Sequence, residues 1–129
     1  MTVSVRYIVH DVEAAIAFYT RHLGFSVDIH PAPGFARLTR GDLSLLLNQP
    51  GAGGAGQAMP DGRQPQPGGW NRIQLTTPDL ASHVEKLRRA GVHVRNDIVQ
   101  GQGGKQVLVE DPSGNPIELF EPPAGKTAP

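Results

Sequence analysis

Apolar and polar positions along this chain fall into one order, and the order occurs twice. Residues 3–9 alternate, with Val3, Val5, Tyr7 and Val9 on one face and Ser4, Arg6 and Ile8 on the other, which predicts a strand. Val12, Ala15, Ile16, Tyr19 and Leu23 then recur at helical spacing, with Asp11 at the N-cap position and Gly24 where a helix stops. Residues 25–30, 35–39 and 43–47 read as three short strands, the last two joined by a tight turn at 40–42. A second round follows: strand 70–76, helix 78–90 with Leu80, Val84 and Leu87 inward, strands 92–96 and 105–110, a turn at 111–115 and a closing strand 117–120. Asp11 and Asp79 lie 68 apart and Gly24 and Gly91 lie 67 apart, so the two rounds superpose almost without gaps. The expected fold class is α+β, with two βαβββ modules in tandem at 3–48 and 70–122.

Between the modules, residues 49–69 are dominated by Gly, Pro and Gln and show no periodicity, which reads as a connector or a mobile flap. The tail from Pro122 onward is expected to be disordered. A length of 129 suits one compact domain, so the modules are expected to share a core.

Composition removes several function classes. Twelve basic and twelve acidic side chains cancel, and neither sign forms a run, so no electrostatic footprint for nucleic acid or an anionic membrane is present. Without cysteine there is no disulfide, no thiolate nucleophile and no sulfur ligand, and a metal would need His or carboxylate donors. Neither a signal peptide nor an apolar stretch of about 18 residues is found, so a soluble cytoplasmic protein is expected.

Two segments carry a family likeness: FYTRHLGF at 18–25 and EDPSGNPIELFEP at 110–122. With the duplication, they make the chain resemble the vicinal oxygen chelate superfamily of glyoxalase I, extradiol dioxygenases, fosfomycin-modifying enzymes and bleomycin-resistance proteins. The likeness runs from Val3 to Pro122. It implies curled sheets around a cleft with helices outside, and in the enzymes a divalent metal held by one residue from the first and one from the last strand of each module. Counting seven back from the helix-opening Asp gives Ser4 and Arg72, and aligning Gly41 and Asp42 with Gly114 and Asn115 sets Leu45 opposite Glu118. Only Glu118 is a usual ligand. One carboxylate is too few, and Arg72 would bring a permanent positive charge to the cation's place. Arg72 is therefore expected to pair with Glu118, and no cofactor is expected.

On the same reasoning the cleft should contain Ser4, Arg6, Leu45, Leu47, Trp70, Arg72, Gln74 and Glu118, a mixture suited to an organic ligand. None of His10, His22, His30, His83 and His93 occupies a ligand position of the superfamily, and His22 is placed to serve the helix C-terminal dipole. The glycine-rich stretches 51–56 and 101–104 lack the strand–loop–helix setting of a phosphate loop and read as flexible turns.

Three functions follow as expectations. The first is a metal-free, homodimeric protein of bleomycin-resistance type that sequesters a small organic molecule such as an antibiotic. The second is a glyoxalase-like lyase or isomerase, or a dioxygenase-related enzyme, using Glu118 with Arg72 or a weakly held metal. The third is an interaction module whose cleft is filled by Leu45 and Leu47.

Overall fold

The computed structural model describes residues 3–124, and beyond Ala124 the expected tail lies outside the described residues. The chain runs β1 (Val3–Ile8), α1 (Val12–His22), β2 (Ser26–Ala32), β3 (Phe35–Arg40), β4 (Leu43–Asn48), β5 (Ile73–Thr76), α2 (Leu80–Arg89), β6 (Val99–Gly101), β7 (Gly104–Glu110) and β8 (Pro116–Glu121). These elements form two compact units. Unit 1 extends to Gly68 and includes Pro112–Asn115, and unit 2 comprises Gly69–Asp111 and the chain from Pro116 onward. Each unit has one four-stranded sheet, ordered β1-β4-β3-β2 and β5-β8-β7-β6, with its first and last strands parallel and the remaining pairs antiparallel.

Local chemistry explains both helices. Asp11 and Asp79 accept from the backbone N–H of Ala14 and Ser82 at 3.2 and 3.1 Å, satisfying a donor that the first turn would otherwise leave orphaned. Gly24 and Gly91 follow the helix ends at φ 75° and 82°, which L side chains avoid. In α1 the buried set is Val12, Ala15, Phe18 and Tyr19, with Tyr19 packed edge-on against Phe18 and Phe25. In α2 it is Leu80, Val84 and Leu87, as the spacing predicts. Among the described residues no helix is long and apolar enough to cross a membrane.

The sheet register corrects part of the sequence reading. In unit 1 Val5 pairs with Leu45, Tyr7 with Leu47 and Arg6 with Leu46. Cross-strand partners share a face, so Leu45 and Leu47 join Tyr7, Leu38 and Ala36 on the side that α1 packs against, and both are fully buried. They are core residues and do not line an open face. In unit 2 Gln74 pairs with Glu118, so the residue equivalent to Glu118 is Leu46. The turn between the last two strands causes the slip. Thr39 pairs with Ser44 across four residues in unit 1, whereas Glu110 pairs with Pro116 across five in unit 2. One extra turn residue moves every downstream side chain to the other face.

Two further segments differ from expectation. Residues 92–96 form only an isolated bridge at Val94, because the Asn96 side chain takes the Leu108 N–H that a neighbouring backbone carbonyl would have accepted. Pairing with β7 passes instead to β6 at Val99–Gly101. The glycine-rich stretch after β4 is folded by its own backbone. Gly51 N–H donates to Gly56 O, Ala52 N–H to Gln49 O, and Gly56 N–H to Ala52 O. A Cβ on Gly56 would lie 2.4 Å from the Ala52 carbonyl oxygen, so only glycine permits this closure.

Replacing Leu47 with Ala is expected to cost about 2–5 kcal/mol, as for other fully buried leucines. Leu46→Ala, one residue away on the opposite face, should cost less than about 1 kcal/mol. Urea unfolding of both variants tests the register, and equal losses would contradict it.

Candidate functional site

The open face of the unit 2 sheet gathers three of the residues singled out from sequence. β5 alternates Ile73 and Leu75, buried, with Gln74 and Thr76, exposed, and register puts Glu118 beside Gln74. Arg72, just before β5, donates from Nε at 3.1 Å and from Nη2 at 2.8 Å to Glu118 Oε1. Gln74 Nε2 donates to Oε2 at 2.7 Å. Both carboxylate oxygens are thus engaged, and the Glu118 side chain is only 11% exposed. Arg72 also donates from Nη1 to Trp70 O at 3.3 Å.

Trp70 lies outside the strand, since β5 begins only at Ile73, and it is 72% exposed. The Arg95 guanidinium sits over its ring at 5.2 Å and is anchored by an Nε donation to Glu110 Oε2 at 2.6 Å. A cation held by a carboxylate and stacked on an indole fixes the ring while leaving much of it accessible. Arg95 escaped the sequence reading because its role depends on this pairing and not on any local motif.

In unit 1, Ser4 and Arg6 occupy exposed strand positions with Leu46 opposite Arg6. Arg6 Nη1 donates to Asn48 Oδ1 at 2.6 Å, and Asn48 is nearly fully buried. Asn48 was not singled out from sequence. Its signal was a polar residue closing an otherwise apolar strand, LSLLLN.

The donor set does not fit a divalent metal. Glu118 has both oxygens bound to side-chain donors, and Arg72 is a cation at any working pH. Among the described residues no three His, Cys, Asp or Glu side chains are grouped as a metal ion requires. Burial pushes the Glu118 carboxyl upward, but hydrogen bonds from Gln74 and Arg72 and the Arg72 charge outweigh it and hold the group below its ordinary 4.5.

A folded-state pKa below the unfolded one stabilises the protein above the ordinary carboxylate range, and that contribution disappears as pH falls through the depressed value. In Arg72→Met the burial effect and the Gln74 bond remain, so the Glu118 titration should move to higher pH and acid unfolding should begin earlier. Carboxyl ¹³C shifts followed against pH measure this, and an unmoved Glu118 midpoint would show that Arg72 does not hold the carboxylate.

Comparison with known proteins gives a consistent family. The family model described as Glyoxalase/Bleomycin resistance protein/Dioxygenase superfamily matches residues 3–119. No curated protein matches the chain. Among solved structures, a member of that superfamily from Sphaerobacter thermophilus DSM 20745 is 26% identical, with 94% of this chain and 96% of that one covered and a TM-score of 0.74. TnmS3, an antibiotic binding protein from Streptomyces sp. CB03234, is 26% identical over 95% of each chain, with a TM-score of 0.70. Lactoylglutathione lyase from Agrobacterium tumefaciens shares the fold at 20% identity, with 94% and 92% covered and a TM-score of 0.72. With its two sheets, eight strands and two helices in this order, the chain belongs to the Glyoxalase/Bleomycin resistance protein/Dioxygenase superfamily.

Proposed function

We propose that this protein binds a small organic molecule without a metal, in the manner of the antibiotic-binding members of its superfamily. The observation that carries the reading is the engagement of both Glu118 oxygens by Arg72 and Gln74. Glu118 is the one carboxylate at a position where the superfamily's enzymes hold their metal, and an internal cation already neutralises it. A carboxylate held below its ordinary pKa is also a poor general base, which weighs against glyoxalase-type proton transfer. Sequestration requires affinity alone. Trp70, exposed, braced by Arg95 and with its backbone carbonyl held by Arg72, offers a flat aromatic surface, and such surfaces favour ring-bearing ligands. The likeness to TnmS3, an antibiotic binding protein, supports a binding role for this chain. A homodimer is part of the reading. β2 is an edge strand whose seven residues are all exposed, Val27 and Ile29 among them.

Titration calorimetry with a panel of aromatic natural products, DNA-damaging antibiotics included, tests the reading. Binding is expected in the presence of EDTA with unchanged affinity, and Trp70→Ala should weaken it by about tenfold or more. Light scattering should give twice the chain mass. Loss of binding in EDTA would overturn the proposal, as would turnover of the methylglyoxal–glutathione hemithioacetal by nickel- or zinc-loaded protein.

A further inference from the structure

Unit 1 has a hollow of about 410 Å³ on its open sheet side, lined by Arg6, Phe35 and Asn48 from the strands and by the glycine-rich loop from Ala52 to Ala55. This size falls within the range of small-molecule sites. Its wall is built in advance. Asn48 accepts from Arg6 through Oδ1 and donates through Nδ2 to Ala52 O at 3.2 Å, so one buried amide ties the guanidinium to the loop. Gln49 N–H donates to Gly34 O at 2.9 Å, and Gln49 Oε1 accepts from Val12 N–H at 3.1 Å, fixing the base of the loop. Gly34 allows close approach on the other side, since a Cβ there would lie 2.5 Å from the Ala52 Cβ. A ligand entering such a hollow orders little that is not already ordered.

The charge of Arg6 is not balanced inside the hollow. Arg37, Arg72, Arg88, Arg89 and Arg95 each pair with a carboxylate, whereas Arg6 makes no ion pair among the described residues and bonds only to a neutral amide. The remaining lining is apolar or glycine backbone: Ala32, Phe35, Ala52 and Ala55 supply side chains without polar atoms. An apolar hollow with one uncompensated guanidinium is complementary to a molecule that is apolar except for a single anionic oxygen group.

We propose that this hollow binds the ring-bearing end of an organic anion, with the carboxylate or phenolate oxygen on Arg6 and the ring against Phe35 and the alanines of the loop. The proposal rests on the small-molecule reading above and names a subsite and a ligand class for it. It gives the glycine-rich loop a role as a fixed wall.

Two probes of nearly equal shape, 2-naphthoate and 2-naphthamide, test it on the full chain. The naphthoate should bind about tenfold or more tightly than the amide, with backbone NMR shifts concentrated at Arg6, Phe35 and the loop. Arg6→Gln should bring the two probes to equal affinity, and Arg6→Lys should restore a preference for the anion. Gly54 lines the hollow and a Cβ on it meets nothing within 4 Å, so Gly54→Phe adds a ring at the lining without a Cβ clash in the loop, and it should weaken both probes. A preference for naphthoate that survives Arg6→Gln, binding unaffected by Gly54→Phe, or no naphthoate binding at millimolar concentration would overturn the proposal. Shifts confined to the surroundings of Trp70 would remove this subsite while leaving the wider reading intact; failure of the whole natural-product panel would remove that reading itself.

Discussion

The parallel ladder between the first and last strands of each unit is the constraint on which the rest depends. Val5 beside Leu45 and Tyr7 beside Leu47, and in unit 2 Ile73 beside Ile117 and Leu75 beside Leu119, commit one face of each sheet to its helix. Because side chains alternate, the same pairing commits Arg6, Leu46, Gln74 and Glu118 to the other face. Burial of the apolar face supplies the stability, and the functional chemistry has to use what the alternation leaves over.

On the open face of unit 2, charge is compensated internally. Glu118 is nearly buried, and an isolated carboxylate there would be strongly disfavoured. Arg72 and Gln74 satisfy both its oxygens. Removing one partner of a fully buried ion pair costs about 3–5 kcal/mol, and the 30% exposure of Arg72 reduces that figure here. The network therefore holds the end of the sheet together while occupying the donors that a metal would need. Trp70 and Arg95 extend it, since Arg72 reaches the Trp70 carbonyl and Arg95 joins the ring to Glu110.

Unit 1 treats its open face differently. Arg6 is given an amide instead of a carboxylate, and that amide also secures a loop in which Gly56 packs too closely for any side chain. Among the described residues, the guanidinium beside the apolar wall of unit 1 thus stays uncompensated, whereas the one beside Glu118 in unit 2 is paired. The duplicated modules have diverged in electrostatics while keeping the same strand order.

The repeat of strand and helix periods, the capping aspartates and the glycines after each helix were legible in the sequence because each depends on neighbours within a few residues. The pairing of Arg72 with Glu118 was legible too, since two opposite charges placed on adjacent strands of one sheet have few other partners. The assignment of Leu45 and Leu47 was not, because it turned on turn length: one residue more between Glu110 and Pro116 than between the equivalent pair Thr39 and Ser44 shifts the correspondence and exchanges the faces. The loss of a strand at residues 92–96, the stacking of Arg95 on Trp70 and the hollow beside Arg6 likewise depend on hydrogen bonds and contacts between residues far apart in the chain. Sequence by itself determined the α+β fold and its duplication, which are properties of local periodicity; only the tertiary structure decided which face each side chain took and which charges found a partner, because register and packing are set by long-range contacts.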